Sequence, residues 1–279
     1  MLKTIRNISL TVIAASAVVF GVNSAHAAGG EKVHIERHDW PHAGVFGTYD
    51  KAALQRGFQV YREVCAACHS LNMVAFRELS ALGYNEDEIK AIAKEYEIED
   101  GPNDEGEMFT RPGRPSDYFP APFPNEQAAR AANGGAYPPD FSLIAKAREH
   151  LSLFMPWNSV YGEDYIVALL TGYEDAPEDF VLMPGLYYNK VFAGNQIAMA
   201  PPLAEGLVEY ADGTEATVEQ MAKDVATFLY WASEPKLEER KKMGLKVIGY
   251  MIFLTILLYF ANKQVWARVK KGEDLKEEA

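Results

Sequence analysis

Cys65-Ala66-Ala67-Cys68-His69 holds the only two cysteines of the chain, and its reading decides what kind of fold surrounds it. The C-x-x-C-H spacing is the attachment signature of a c-type haem. Two thiols one helical turn apart can each form a thioether to a vinyl group along one edge of the macrocycle. The adjacent imidazole then reaches over the porphyrin face to the iron. A thioredoxin-like C-x-x-C pair belongs in a βαβ context, whereas this motif closes a helical pattern. A structural zinc site needs further Cys or well-spaced His ligands, and His26, His34, His38, His42 and His150 form no second cluster of that kind in the sequence. With no third cysteine, a disulfide could form only within the motif. The pattern predicts one covalently bound haem c, with Cys65 and Cys68 as thioether donors and His69 as an axial iron ligand.

Helical patterns bracket the motif. Asp50 can cap a helix in which Leu54, Phe58 and Tyr61 recur at helical spacing and lead into Val64. Gly57 sits inside it, where glycine costs about 1 kcal/mol relative to alanine, so close approach of another backbone or ring is expected there. Thr217-Val218-Glu219-Gln220 resembles a capping box, and Val218, Met221, Val225, Phe228 and Ala232 share one face of a second helix ending near Pro235. Between them lie turn-rich or extended segments: Arg111–Pro115, Phe119–Pro124, Ala136–Pro139 and Ala200–Pro202. Long irregular connections of this kind suit a chain wrapped around a large ligand. The fold class expected is mainly α.

Both ends carry membrane-directed patterns. Lys3 and Arg6 precede an apolar stretch from Leu10 to Val22, and Ala25-His26-Ala27 fits a small-x-small cleavage site. Residues 1–27 therefore read as a secretory leader of the bacterial type, with an uncleaved anchor as the alternative. Residues 28–235 form the exported domain. Val247 to Ala261 is free of charge; extended to Met243, with Lys246 snorkelling, it reaches the length of a spanning helix. Residues 236–262 are thus linker and anchor, and 263–279 a tail. Lys263, Arg268, Lys270, Lys271 and Lys276 favour a cytoplasmic C-terminus, although Lys236, Arg240, Lys241 and Lys242 crowd the opposite flank. The leader decides the orientation, with the large domain in the periplasm and the anchor in the bacterial inner membrane.

The 279-residue chain has a formal net charge of −12. Residues 28–235 hold 33 Asp and Glu against 15 Lys and Arg. Ten acids fall between Glu86 and Glu107, and six between Glu163 and Asp179 with no base among them. Such runs are solvated faces, and at this density they also suit a basic partner steered by charge. No phosphate-cradling glycine loop and no basic aromatic patch is present, so nucleic acid is not an expected partner.

The sixth iron ligand sets the chemistry: Met or His favours electron transfer, whereas an open site favours ligand binding or peroxide chemistry. Met199, in Ile197-Ala-Met-Ala-Pro-Pro202, lies in a segment that prolines keep out of helix and sheet. Met155-Pro156, Met183-Pro184 and His150 are the competing candidates.

Several segments together carry a resemblance: Arg56–Tyr61 running into the haem motif, Gly106–Gly113, Ser116–Pro120, Ala128–Asn133, Pro138–Asp140, Ala168–Tyr173, Ile197–Pro202 and Met243–Lys246. On these the chain resembles the cytochrome c1 family, the haem c subunits of cytochrome bc1 complexes. The resemblance implies a class I cytochrome c-like domain with long insertions, whose first and last helices cross near the haem, and one C-terminal transmembrane helix. It implies Met199 as the axial methionine and Arg148 beside a haem propionate. It also implies cytochrome b and the Rieske iron–sulfur protein as partners, and a soluble basic cytochrome c or c2 as electron acceptor. The chain alone would catalyse no bond change; it would be a redox subunit of ubiquinol–cytochrome c reductase. The segment Glu149 to Tyr161 is longer than the corresponding family loop. An anchored cytochrome serving a terminal oxidase, or a haem sensor or peroxidase with an open sixth site, are the competing readings.

Overall fold

The computed structural model describes residues 35–150 and 159–270; the expected leader, Met155 and the end of the tail lie outside the described residues. Helix α1 (Lys51–Val60) starts where expected. The Asp50 carboxylate accepts from the amides of Ala52, at 2.9 Å, and Ala53, satisfying donors that the first turn leaves free. Leu54, Phe58 and Tyr61 are all buried. From Tyr61 to Cys65 the helix widens into one π turn, with Ala66 N–H donating to Tyr61 O at 2.8 Å. That extra residue shifts the register of everything after it, so the motif leaves the helix on a different face from the one α1 buries.

The chain then runs through a 3₁₀ turn (Phe76–Leu82), α2 (Glu86–Lys94), a two-stranded antiparallel hairpin of β1 (Glu97–Asp100) and β2 (Phe109–Pro112), α3 (Glu126–Ala132), α4 (Ile144–Ala147) and α5 (Gly162–Thr171). A second small hairpin, β3 (Tyr187–Tyr188) with β4 (Gln196–Ile197), precedes α6 (Val218–Ser233) and α7 (Leu237–Lys270). The architecture is mainly helical, as expected. The two short hairpins were not visible in the sequence, because strands of four and two residues carry no usable alternation.

Helix α6 is the centre of the core. From Met221 to Ala232 every residue but Lys223 is buried, so this helix is enclosed all round rather than along the one face its periodicity suggests. Its start uses half of the expected capping box. Thr217 Oγ accepts from Gln220 N–H at 3.1 Å, but the Gln220 side chain donates to Asp224 instead of folding back.

The crossing of α1 on α6 explains Gly57. A Cβ there would lie 2.1 Å from Asp224 O and 2.8 Å from Phe228 Cβ. Beside the contact, Arg56 grips Asp224 with two bonds of 2.9 and 3.0 Å and reaches Asp212 at 2.7 Å. Phe58 and Tyr61 pack on Phe228 with ring centroids 5.5 and 5.6 Å apart, and Phe119 fills the space among Phe58, Tyr61, Phe76 and Tyr96. Helix α7 follows after a short turn. It runs unbroken past Ala261 to Lys270, so the start of the expected tail is helical, and no residue of its apolar stretch from Val247 to Ala261 is buried in the isolated chain.

Gly57→Ala will cost about 1–3 kcal/mol of stability, read as a lower urea midpoint at unchanged slope, because the helices must part to admit the methyl group. Asp212 supplies a pH test. The Thr214 amide first, and Arg56 next, hold its carboxyl down to about 2. A folded value below the unfolded one stabilises above the ordinary carboxylate range and is lost as pH falls toward about 2. Asp212→Asn will therefore melt earlier than the parent at neutral pH, and calorimetry will show the gap closing as that pH is approached.

Candidate functional site

After the π turn, Cys68 N–H and His69 N–H both donate to Cys65 O, at 3.1 and 2.9 Å, which sets the two thiols one turn apart. No disulfide joins Cys65 and Cys68. Burial, with Cys68 adding a little, pushes the Cys65 thiol up to about 12, so it is uncharged at neutral pH.

His69 is 8% exposed and its ring is oriented from two sides. Nδ1 lies 2.8 Å from Pro139 O. A carbonyl only accepts, so Nδ1 carries the proton and the Nε2 lone pair is left for a metal. The ring stacks on Phe141 at 4.0 Å with 15° between planes. Burial lowers the imidazole's proton affinity, outweighing Pro139 and Asp140, which keeps it in the neutral, ligating form.

Pro139 is held in turn by a zipper between residues 69–73 and 139–142. Asp140 accepts from Ser70 Oγ at 2.8 Å, Asn72 N–H at 2.9 Å and Ser142 N–H at 2.8 Å. Phe141 N–H donates to Ser70 O at 2.8 Å, and Met73 N–H to Ser142 Oγ at 3.0 Å. Burial alone would raise the Asp140 carboxyl, yet these donors hold it below the usual carboxylate range. Tyr61 OH bonds His69 O at 3.2 Å, tying the histidine back to the end of α1. The donor set of two thiols and an imidazole presented through Nε2 fits a covalently attached haem.

Met199 lies half-buried in the irregular segment after β4, and the Tyr173 hydroxyl donates to its carbonyl at 3.0 Å. The segment is anchored through Asn189, fully buried, which donates to Leu169 O at the end of α5 and accepts from the amides of Val191 and Phe192. Of the competing candidates, Met183 is exposed, and His150 is exposed and paired through its backbone with Val160. Arg148 follows α4 with an exposed side chain whose charge is felt at Tyr165, where it offsets part of the upward push from burial.

Sequence reasoning missed a buried polar joint on the far side of α6. His42 stacks on Tyr230 at 4.7 Å and meets Glu163 at 3.2 Å. Asp164 accepts from the Trp40 indole at 2.8 Å and from His38 N–H at 3.1 Å. Glu163 and Asp164 are 2% and 1% exposed. Both had been grouped with a solvated acidic run; they are structural, and only Glu174, Asp175, Glu178 and Asp179 of that run face solvent. In the other run every acid but Asp100 is exposed.

Comparison with known proteins shows the family of the chain. A family model described as the cytochrome C1 family matches residues 40–269. The chain is 51% identical over 233 residues to "Cytochrome c1-2, heme protein, mitochondrial" of Solanum tuberosum, covering 84% of this chain and 85% of that one. It is 51% identical to "Cytochrome b-c1 complex catalytic subunit, mitochondrial" of Candida albicans, covering 85% and 79%. It is also 47% identical over 277 residues to "Cytochrome b/c1" of Bradyrhizobium diazoefficiens; there 95% of this chain spans 40% of the longer protein.

Proposed function

The chain belongs to the cytochrome c1 family, and from that premise we propose that it is the electron-transferring subunit of a quinol–cytochrome c reductase, the bc1 complex. In this reading it takes one electron at a time from the Rieske iron–sulfur protein, beside cytochrome b, and delivers it to a soluble cytochrome c or c2. The observation that carries the reading is His69, fixed by the Pro139 carbonyl with its Nε2 lone pair free, in a chain that also bears a membrane-anchoring helix.

One haem c, bound covalently through Cys65 and Cys68, supplies the one-electron couple. The chain's own residues set its surroundings. The Pro139 carbonyl strengthens His69 as a donor through the Nδ1 proton, and Phe141 shields that imidazole from water. Met199 would hold the iron together with His69, on a backbone that Tyr173 and Asn189 restrain. Arg148, exposed after α4, would offset the charge of a propionate. A closed site of this kind favours electron transfer over ligand binding, which separates the reading from a sensor or peroxidase. No substrate bond is made by these residues.

The exposed acids between Glu86 and Glu107 are the surface we assign to the basic acceptor. Residues 1–27 are a cleaved leader and 28–235 the periplasmic domain. Residues 236–262 enter and cross the inner membrane, and the tail begins the cytoplasmic side.

Met199→Leu will remove the thioether–iron absorption, admit carbon monoxide and lower the midpoint potential; an unchanged spectrum would sink the axial assignment. Turnover with a basic cytochrome will slow as salt rises, because screening shortens to about 8 Å near physiological ionic strength. A flat salt response would remove the docking surface from the proposal. Gentle solubilisation should bring down cytochrome b and the Rieske protein together with this chain.

A further inference from the structure

The cations Lys236, Arg240, Lys241 and Lys242 stand on the flank of the anchor where the positive-inside rule expects no excess, and electron transfer gives them no work. The structure connects them to a second unexplained feature. Residues 41–48 close into a loop, with Ala43 N–H donating to Trp40 O at 2.9 Å and Thr48 N–H to Pro41 O at 3.1 Å. Gly47 is packed so tightly that a Cβ would lie 2.0 Å from Ala43 O, and Gly44 turns the chain at φ +68°. At its tip Val45 is 59% and Phe46 82% exposed. Single exposed apolar residues are ordinary; two on the tip of a closed loop fixed to a membrane helix are not.

The fixing is direct. Lys241 Nζ of α7 donates to His42 O at 2.6 Å and to Gly47 O at 3.2 Å, gripping the loop on both sides of the tip. Tyr49 N–H donates to Glu238 at 3.0 Å and Tyr49 OH to Glu234 O at 3.1 Å, while His42 is seated on Tyr230 and Glu163. From Lys241 to the charge-free run at Val247 is about 9 Å along the helix axis, which puts Lys241 at the outer edge of a headgroup layer about 5–8 Å deep.

We propose that the Val45–Phe46 tip is a membrane-contact wedge that seats in the headgroup layer of the bilayer beside α7, where Lys236, Arg240, Lys242 and Lys246 meet anionic phosphates. The continuity of the tip with the membrane helix, and an aromatic apolar tip beside a cationic collar, are what an anionic lipid surface binds. Lys236, Arg240, Lys242 and Lys246 are all exposed; the ion pairs of Arg240 with Glu234 and Lys242 with Glu238 leave them at the surface. The wedge fixes the height and tilt of the domain over the membrane, which a single helix alone would leave free to swivel.

The test uses the full-length holoprotein in nanodiscs of phosphatidylcholine with and without phosphatidylglycerol. A nitroxide is placed on Phe46→Cys, and its collisions with oxygen and with a water-soluble nickel chelate are compared. Val181→Cys, 85% exposed, is the aqueous reference, and Leu257→Cys within the span reports that the anchor is inserted. The expected result is a several-fold drop in nickel access at 46 relative to 181, deepened by phosphatidylglycerol, with oxygen access retained. Lys241→Met will return the label toward water while the label at 257 stays deep. Nickel access at 46 equal to that at 181, with 257 inserted, overturns the wedge. Loss of access to both reagents overturns the lipid assignment in favour of a protein cover, and an unchanged depth in Lys241→Met removes the pin.

Discussion

The close crossing of α1 on α6 is the constraint from which the rest of the haem domain follows. It needs a residue without a side chain at 57, because the Asp224 carbonyl occupies the space of a Cβ. It also needs a charge to satisfy Asp224, buried by the same contact, and Arg56 supplies it from the adjoining position. A buried carboxylate without that fork would be strongly destabilising. With the two helices locked, the aromatic layer of Phe58, Tyr61 and Phe228 has a fixed floor. The π turn then delivers Cys65 to His69 from a rigid base onto the strand of backbone that carries Pro139.

How much of this could be read beforehand depends on the range of the forces involved. The caps at Asp50 and Thr217, the helical spacing of Leu54, Phe58 and Tyr61, and the thiol pair are local patterns, and they stand where the residues placed them. Gly57 was legible as an anomaly because a glycine in a helix costs stability. The identity of its neighbour was not, since Asp224 is far away along the chain. The Pro139 carbonyl, the Phe141 stack and the Asp140 hub lie equally far from the motif they serve. A backbone carbonyl has no sequence signature at all.

Charge shows the same limit in another form. Composition located two acidic runs correctly but could not tell solvated carboxylates from structural ones. Nine of the ten acids between Glu86 and Glu107 face water, whereas Glu163 and Asp164 are sealed beneath the N-terminal strap by His38, Trp40 and His42. Position is the reason: both lie in the first turn of α5 under that strap, whereas Glu174 to Asp179 follow the end of the helix. Counting charge along the chain measures the potential a partner would feel only after such residues are subtracted.

The segment between His150 and Val160 begins and ends at a single backbone contact. His150 and Val160 exchange both backbone hydrogen bonds, each of 2.8 Å, so the two ends of the segment are stapled together before α5 begins. Chain length beyond such a staple changes the closing entropy by only about 0.6 kcal/mol for each doubling. A connection closed in this way tolerates a change of length at little thermodynamic cost, which makes it a place to graft an affinity handle.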